Sequence, residues 1–335
     1  MSESQTIATP DLQRGSITVR GVINSAGIGL ALLLLIVFFS FASEHFLAPN
    51  NITNILTQIT INLILAVGMT FVILIGGIDL SVGSVMAFAA VVAGKAITLP
   101  GLGPVELILL ATTAGLLAGL ACGMLNGFLS AYWSLPSFII TLGMLNIARG
   151  AALQVSDAQT IYSFPRAFEN FGSLLIYGVP VVFLVALALV LIAWFVLNRT
   201  VFGRIVYGIG SNEEAVRLAG HNVFFYKVAA FSICGLTAGI AAIIYMARLN
   251  ISSPIAGIGF ELNAIAAVII GGTSLSGGRG SVVGTLLGAF IIGVLANGLI
   301  LIGLSDFMRQ MITGVVIVVA VVLDYYRARL AGNGR

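Results

Sequence analysis

The sequence predicts an all-α, polytopic membrane protein with about ten spanning segments, one of them a broken or re-entrant half-helix, and an internal repeat. Three observations carry that expectation. Of 335 residues, 59% are hydrophobic and only 8% are charged, against a charged share of about 25% in a soluble domain. The 40 glycines suit helices that approach through small faces, because lipid supplies no hydrophobic drive between helices and close contact must provide the attraction. The third observation is a repeated interruption. Residues 68–84 run an apolar helix into Gly76-Gly77-Ile-Asp-Leu-Ser, and residues 264–290 run another into Gly271-Gly272-Thr-Ser-Leu-Ser. A helix break in a bilayer strands amide and carbonyl groups, so it is tolerated only where protein or a water-filled cavity surrounds it. Two matched breaks point to a pathway between two related halves.

In chain order, residues 1–21 are polar, carry no cleavable-signal pattern and read as an N-terminal tail. A hydrocarbon core of about 30 Å needs roughly 20 apolar residues per helix. By that ruler the segments are 22–42, 52–75, 80–98, 105–131, 137–153, 179–197, 228–247, 261–272, 281–303 and 307–323. The eighth is too short to cross alone and reads as a half-helix completed by the glycine-rich turn. Cys122 and Cys234 sit inside apolar runs and read as small buried hydrophobes. Arg14, Arg20, Arg199, Arg204, Arg217, Lys227, Arg327, Arg329 and Arg335, with Arg279, fall on one side, and Lys95, Arg149, Arg166, Arg248 and Arg309 on the other. Cytoplasmic loops carry the excess of Lys and Arg, so both termini are expected inside. The outer stretch 154–178 mixes charges with Tyr162, Phe164, Phe168 and Phe171; it reads equally as a docking loop or as a lid at the membrane interface.

The inner loop 198–227 contains a punctuated helix. Ser211 reads as its N-cap, Glu214 three residues later completes a capping box, and Gly220 stands where a C-terminal stop belongs. Glu213 and Glu214 in the first turn and Arg217 later match the helix dipole. Val216, Leu218 and Ala219 offer an apolar side. About nine residues are too few to persist as a helix unaided, so this one is either a connector resting on the bundle or an element that presses into a soluble partner.

The remaining signals are largely exclusions. No G-x-x-x-x-G-K-[ST] loop is present, so if ATP drives this chain another polypeptide hydrolyses it. Neither the two histidines, His45 and His221, nor any Ser or Cys motif forms an enzyme signature, and no cofactor or metal is expected. The net charge of +3 is no nucleic-acid footprint. Asp79, the one acidic residue near membrane depth inside a motif, reads first as an N-cap for a helix beginning near Leu80, with Ser81 assisting, and second as a contact for solute or ion. Gly76, Gly77, Gly271 and Gly272 read as break glycines, with Ser274 and Ser276 in the second turn. Asn62, Asn126, Asn146 and Asn297, along with Gln58, Tyr245 and Asn263, either line a path or bond neighbouring helices.

Gly68–Ser84, the loop Phe202–Gly220 and Glu261–Gly280 together resemble the permease subunits of ribose-type ABC sugar importers, over residues 30–326 or nearly the whole chain. Gly-Gly-Ile-Asp-Leu-Ser-Val-Gly-Ser and Gly-x-Asn-Glu-Glu-Ala-x-Arg-Leu-Ala-Gly, in that order and spacing, carry the likeness. The resemblance implies a transmembrane domain over 22–326 followed by a cytoplasmic tail, 327–335, in a bacterial inner membrane. It implies a second copy of the chain, two ATP-binding domains and a periplasmic sugar-binding protein. It also implies that Ser211, Asn212, Glu213, Glu214, Ala215, Arg217, Leu218 and Gly220 contact the ATPase. The competing readings are a secondary transporter or facilitator that works without an ATPase, and the same architecture importing an amino acid or nucleoside.

Overall fold

The computed structural model describes the backbone of residues 16–332 and the side chains of residues 27–322; expectations placed on residues 1–15 and 333–335 lie outside the described residues. The order of elements is α1 (Ser16–Ala42), α2 (Pro49–Leu74), α3 (Val82–Ile97), α4 (Pro104–Tyr132), α5 (Ser137–Val155), β1 (Ile161–Tyr162), α6 (Arg166–Ser173), β2 (Leu175–Ile176), β3 (Val179–Pro180), α7 (Val181–Arg199), α8 (Val201–Ser211), α9 (Glu213–Leu218), α10 (Val223–Leu249), β4 (Ile251–Ser252), α11 (Phe260–Ile270), α12 (Val282–Leu301) and α13 (Asp306–Gly332). Among the described residues six helices, α2, α4, α5, α7, α10 and α12, are long and apolar enough to cross a membrane; α3, α11 and the Gly27–Ala42 part of α1 are shorter apolar helices. The expected half-helix is present: α11 has 11 residues, about 16 Å at 1.5 Å per residue, half of a hydrocarbon core.

The axis of the bundle is α2, in which every residue from Leu63 to Leu74 is buried. It packs on α7, α10, α11 and α12, while α3, also largely buried, packs on α4, α5 and α10. The outward faces of α4, α5 and α7 carry Leu109, Leu117, Ile139, Ile147, Leu191 and Phe195, all exposed, as helices turned toward lipid require. Burying such residues against another helix gains little when lipid is equally apolar, so close packing must hold the interior.

That packing is tightest between α4 and α10. Gly115, Gly119, Gly123 and Gly127 recur every fourth residue on one face of α4. A Cβ at Gly119 would overlap the Gly235 carbonyl, one at Gly123 the Phe231 carbonyl, and one at Gly235 the Gly119 carbonyl. The two backbones therefore touch without a side chain between them.

The 154–178 stretch lies on the body. β1 pairs with β4 (Tyr162 opposite Ile251) and β2 with β3. Phe164 and Phe168 are buried, and Gly172 of α6 abuts the Ala247 backbone of α10. Arg149 of α5 donates to the carbonyls of Pro254 (2.6 Å) and Ala256 (2.8 Å), fixing the turn that leads into α11.

Candidate functional site

At the first break the chain leaves the helix through a glycine. Gly76 sits at φ +78, a left-handed conformation that costs glycine nothing, and the N–H groups of Gly76 and Gly77 return to the carbonyls of Ile73 and Val72, both at 2.9 Å. Residues 78–81 then belong to neither helix, and their polar groups are met from α5 and α4. Ile78 N–H donates to Ser137 Oγ (2.9 Å), Leu80 N–H to Thr141 Oγ1 (3.1 Å), and the Thr141 hydroxyl donates back to Ile78 O (3.2 Å). Asp79, 2% exposed, accepts at Oδ1 from the Ser81 N–H (2.8 Å) and hydroxyl (2.6 Å). Asn126 donates to Ser81 Oγ at 2.9 Å and reaches Asp79 Oδ2 at 3.4 Å.

This corrects the expectation that Asp79 caps the next helix. The helix starts at Val82, with Ser81 in the capping position and making no capping bond. The turn pinned by Ser137 and Thr141 delays helix entry, so the carboxylate closes the turn on Ser81 and does not reach first-turn amides.

The second break uses the same closure one residue out of register with the sequence match. Gly272, at φ +82, sends its N–H to Ile269 O (2.8 Å), and Thr273 sends its N–H to Val268 O (3.2 Å). Gly272 is thus the counterpart of Gly76, and Thr273 that of Gly77. Gly271 serves packing instead: a Cβ there would overlap the Gly284 backbone. In the turn that follows, Ser274 N–H donates to Arg279 O (2.9 Å) and Gly277 N–H to Ser274 O (3.0 Å), while Ser276 is exposed. The Ser281 hydroxyl accepts from Gly284 N–H at 2.9 Å and caps α12.

The two breaks meet, and the end of α8 is wedged against both. Gly278 N–H donates to Leu74 O at 2.9 Å. A Cβ at Gly277 would lie 2.8 Å from Gly76 N, and one at Gly210 would overlap both the Leu74 carbonyl and the Gly278 amide. Tyr207 adds a hydrogen bond from its hydroxyl to Gly280 O at 3.0 Å.

From this junction α9 projects outward. Its N-cap is Asn212, whose Oδ1 accepts from Ala215 N–H at 2.9 Å, and not Ser211 as the sequence suggested. Residue 211 is the last residue of α8, and its hydroxyl bonds Tyr207 O (2.9 Å), so the cap falls one position later and the helix has 6 residues. Gly220 ends it as expected, with its N–H returned to Arg217 O. The apolar side is narrower than expected: Val216 is half-buried over Gly208, but Leu218 is 80% exposed and Ala219 is exposed. Arg217 pairs with Glu213 (3.1 Å) and Glu214 (3.2 Å), and Glu213 also pairs with Lys227 of α10 at 2.7 Å. An open groove of about 500 Å³ runs between α8 and α9, lined by Ile205, Gly208, Asn212, Val216 and His221 among others.

The four candidate path asparagines are scattered. Asn126 belongs to the Asp79 cluster, with its Oδ1 buried and unpartnered; Asn62 also buries an unpartnered Oδ1. Asn297 and Asn51 exchange amide hydrogen bonds, 3.0 Å each way, which joins α12 to α2. Asn146 is exposed midway along α5 and, among the described residues, donates only to Leu142 O in its own helix.

A family model described as "Branched-chain amino acid transport system / permease component" matches residues 51–321. The chain belongs to this permease family. Across most of its length the permease is similar to curated relatives named for sugars. It is 43% identical over 299 residues to the ribose import permease protein RbsC of Escherichia coli K12, covering 88% of this chain and 92% of that protein. The RbsC of Bacillus subtilis 168 is also 43% identical, over 91% and 94% of the two chains. The D-allose transport system permease protein AlsC of Escherichia coli K12 is 39% identical over 87% and 88%. No solved structure matches the chain. Ser137 and Thr141, which complete the first break of the permease, are singled out only by the geometry; Gly210 opens the Gly-x-Asn-Glu-Glu motif, but its contact with both breaks is visible only in the structure.

Proposed function

We propose that this chain is the membrane-spanning permease subunit of an ATP-driven ABC importer that moves a monosaccharide, a ribose-like pentose, a hexose or a related polyol, across a bacterial cytoplasmic membrane by alternating access. The observation that carries the mechanism is the seating of Gly210 against both helix breaks: only Ser211 and Asn212 separate it from the start of the exposed α9. A push on α9 therefore arrives where the backbone is least regular. The sugar reading rests on the relatives' names.

In this reading α1, α2, α3, α4, α5, α7, α10, α11, α12 and α13 supply ten membrane segments, and the Lys and Arg distribution puts both termini and the 198–227 loop inside. The soluble partners are an ATP-binding subunit with two nucleotide domains at α9 and a periplasmic or lipid-anchored sugar-binding protein on the opposite face. ATP binding shifts the equilibrium only to the extent that the ATP-bound partner favours one conformation. A second copy of the chain is supported by Asn146, an amide facing outward from an apolar helix, where a hydrogen-bonding neighbour is worth more than lipid. Ser211 and Asn212 form the stem of the contact, while Glu214, Ala215 and Leu218 form its exposed side.

Reconstitution into liposomes tests the proposal. With binding protein, sugar, ATPase subunit and ATP, uptake is expected; omission of the ATPase or ATP is expected to reduce it to the leak of empty vesicles. Sugar equilibration by this chain alone would instead establish a facilitator. In the complete system Glu214→Arg, at a side chain 63% exposed and paired only with Arg217, is expected to leave membrane insertion intact and to uncouple ATP hydrolysis from uptake.

A further inference from the structure

The contact at Gly210 joins α9 to the helix breaks, but α9 has a second attachment. Glu213 is the hub of a charged chain in which Arg217 bridges Glu214 and Glu213, and Glu213 reaches Lys227 at 2.7 Å. Lys227 stands in the first turns of α10, its side chain 22% exposed, and Glu213 is 37% exposed. Other links between α9 and α10 are few: Val216 leans on α8, Leu218 projects outward, and the 219–222 turn that joins the two helices closes back on α9, with Gly220 N–H on Arg217 O and His221 N–H on Val216 O. Meanwhile α10 is locked to α4 through the glycine seam and reaches α2 at Gly68, where a Cβ would overlap Thr237.

We infer that the Glu213–Lys227 ion pair is the strut by which displacement of α9 is passed to α10, making Lys227 a positioning residue for coupling. The inference rests on the function proposed above and deepens it. Without the strut α9 keeps its chain connections, Asn212 at one end and the 219–222 turn at the other, but can roll between them, so a push from the partner turns α9 and moves the α4–α10 pair less. Half-exposed pairs are individually modest. This one braces two helices otherwise joined through the short 219–222 turn, so its loss falls on motion more than on stability.

The test is a charge exchange, read in two ways. Glu213→Lys and Lys227→Glu are made singly and together in the full chain; Arg217 keeps Glu214 in all three. The first reading is hydrogen exchange at the amides of Ala215, Val216 and Ala219 in the permease alone. The second is sugar taken up per ATP hydrolysed in vesicles with ATPase and binding protein. Each single reversal is expected to speed exchange and to lower uptake per ATP, both by about fivefold or more, with the double exchange recovering most of both. Unchanged single variants, or a double variant that stays impaired in either reading, would overturn the strut. If the wild-type chain bound no ATPase, the function proposed above would fall, and the exchange arm would still decide whether the pair holds α9 to α10.

Discussion

Replacing Gly210 with valine is expected to abolish ATP-linked uptake, lowering it at least about tenfold, while the protein still inserts in the membrane. A Cβ at this position overlaps the Leu74 carbonyl and the Gly278 amide and lies 3.0 Å from the Gly277 carbonyl carbon. All three are backbone atoms, so no side chain can rotate away. The only relief is to separate α8 from one of the two breaks, breaking the Gly278 N–H to Leu74 O bond that joins them. Overpacking of this kind costs about 1–3 kcal/mol, concentrated at the junction that transmits the push from α9. The measurement is uptake and ATP hydrolysis in vesicles matched for protein content. Gly77→Val serves as the comparison: its Cβ meets Val72, Phe231 and Ser137 side chains at 3.1–3.2 Å, which yield more readily, so its effect is expected to be smaller. Normal uptake by Gly210→Val would show that the α8 contact is incidental.

Asp79→Leu is expected to have the second large effect, destabilising the permease and removing most transport, whereas Asp79→Asn is expected to retain both. The carboxylate accepts from Ser81 N–H and Ser81 O–H and lies beside Asn126, with the whole cluster buried. An apolar replacement leaves those donors without a partner, at about 1–3 kcal/mol for each group stranded, whereas asparagine keeps one acceptor oxygen in place. The midpoint of thermal unfolding in detergent and sugar uptake distinguish the two variants. If asparagine abolished transport without lowering the midpoint, the charge itself would be needed and Asp79 would be a solute or ion contact after all.

The difference between these residues measures how far the sequence could be read. Apolar run length places the long helices, though not α8 inside the inner loop, and the glycine pairs mark both interruptions, because backbone that leaves a helix needs residues that tolerate unusual conformations. The short α11 was legible for the same reason. The register was not. Two identical glycine pairs suggested equivalent roles, yet Gly76 matches Gly272 and leaves Gly271 to packing, a distinction set by which carbonyl each amide finds. The caps mark the inner helix, but it starts one residue later than they suggest, since Ser211 and Asn212 are both good caps and only the continuation of α8 to Ser211 chooses between them. Partners distant in the chain were least visible. Asn297 reads either as a path residue or as a bond to a neighbouring helix, and its partner Asn51 lies 246 residues away; nothing local marks Ser137 or Thr141 as the groups that complete a break in another helix.

The backbone-to-backbone seam between α4 and α10 has one more consequence. Carbonyls and amides nested that closely act as teeth in a rack, and neither rod can slip or roll past the other without a collision. The pair must swing as a single slab. Flexing of the bundle is thereby confined to the margins of that slab.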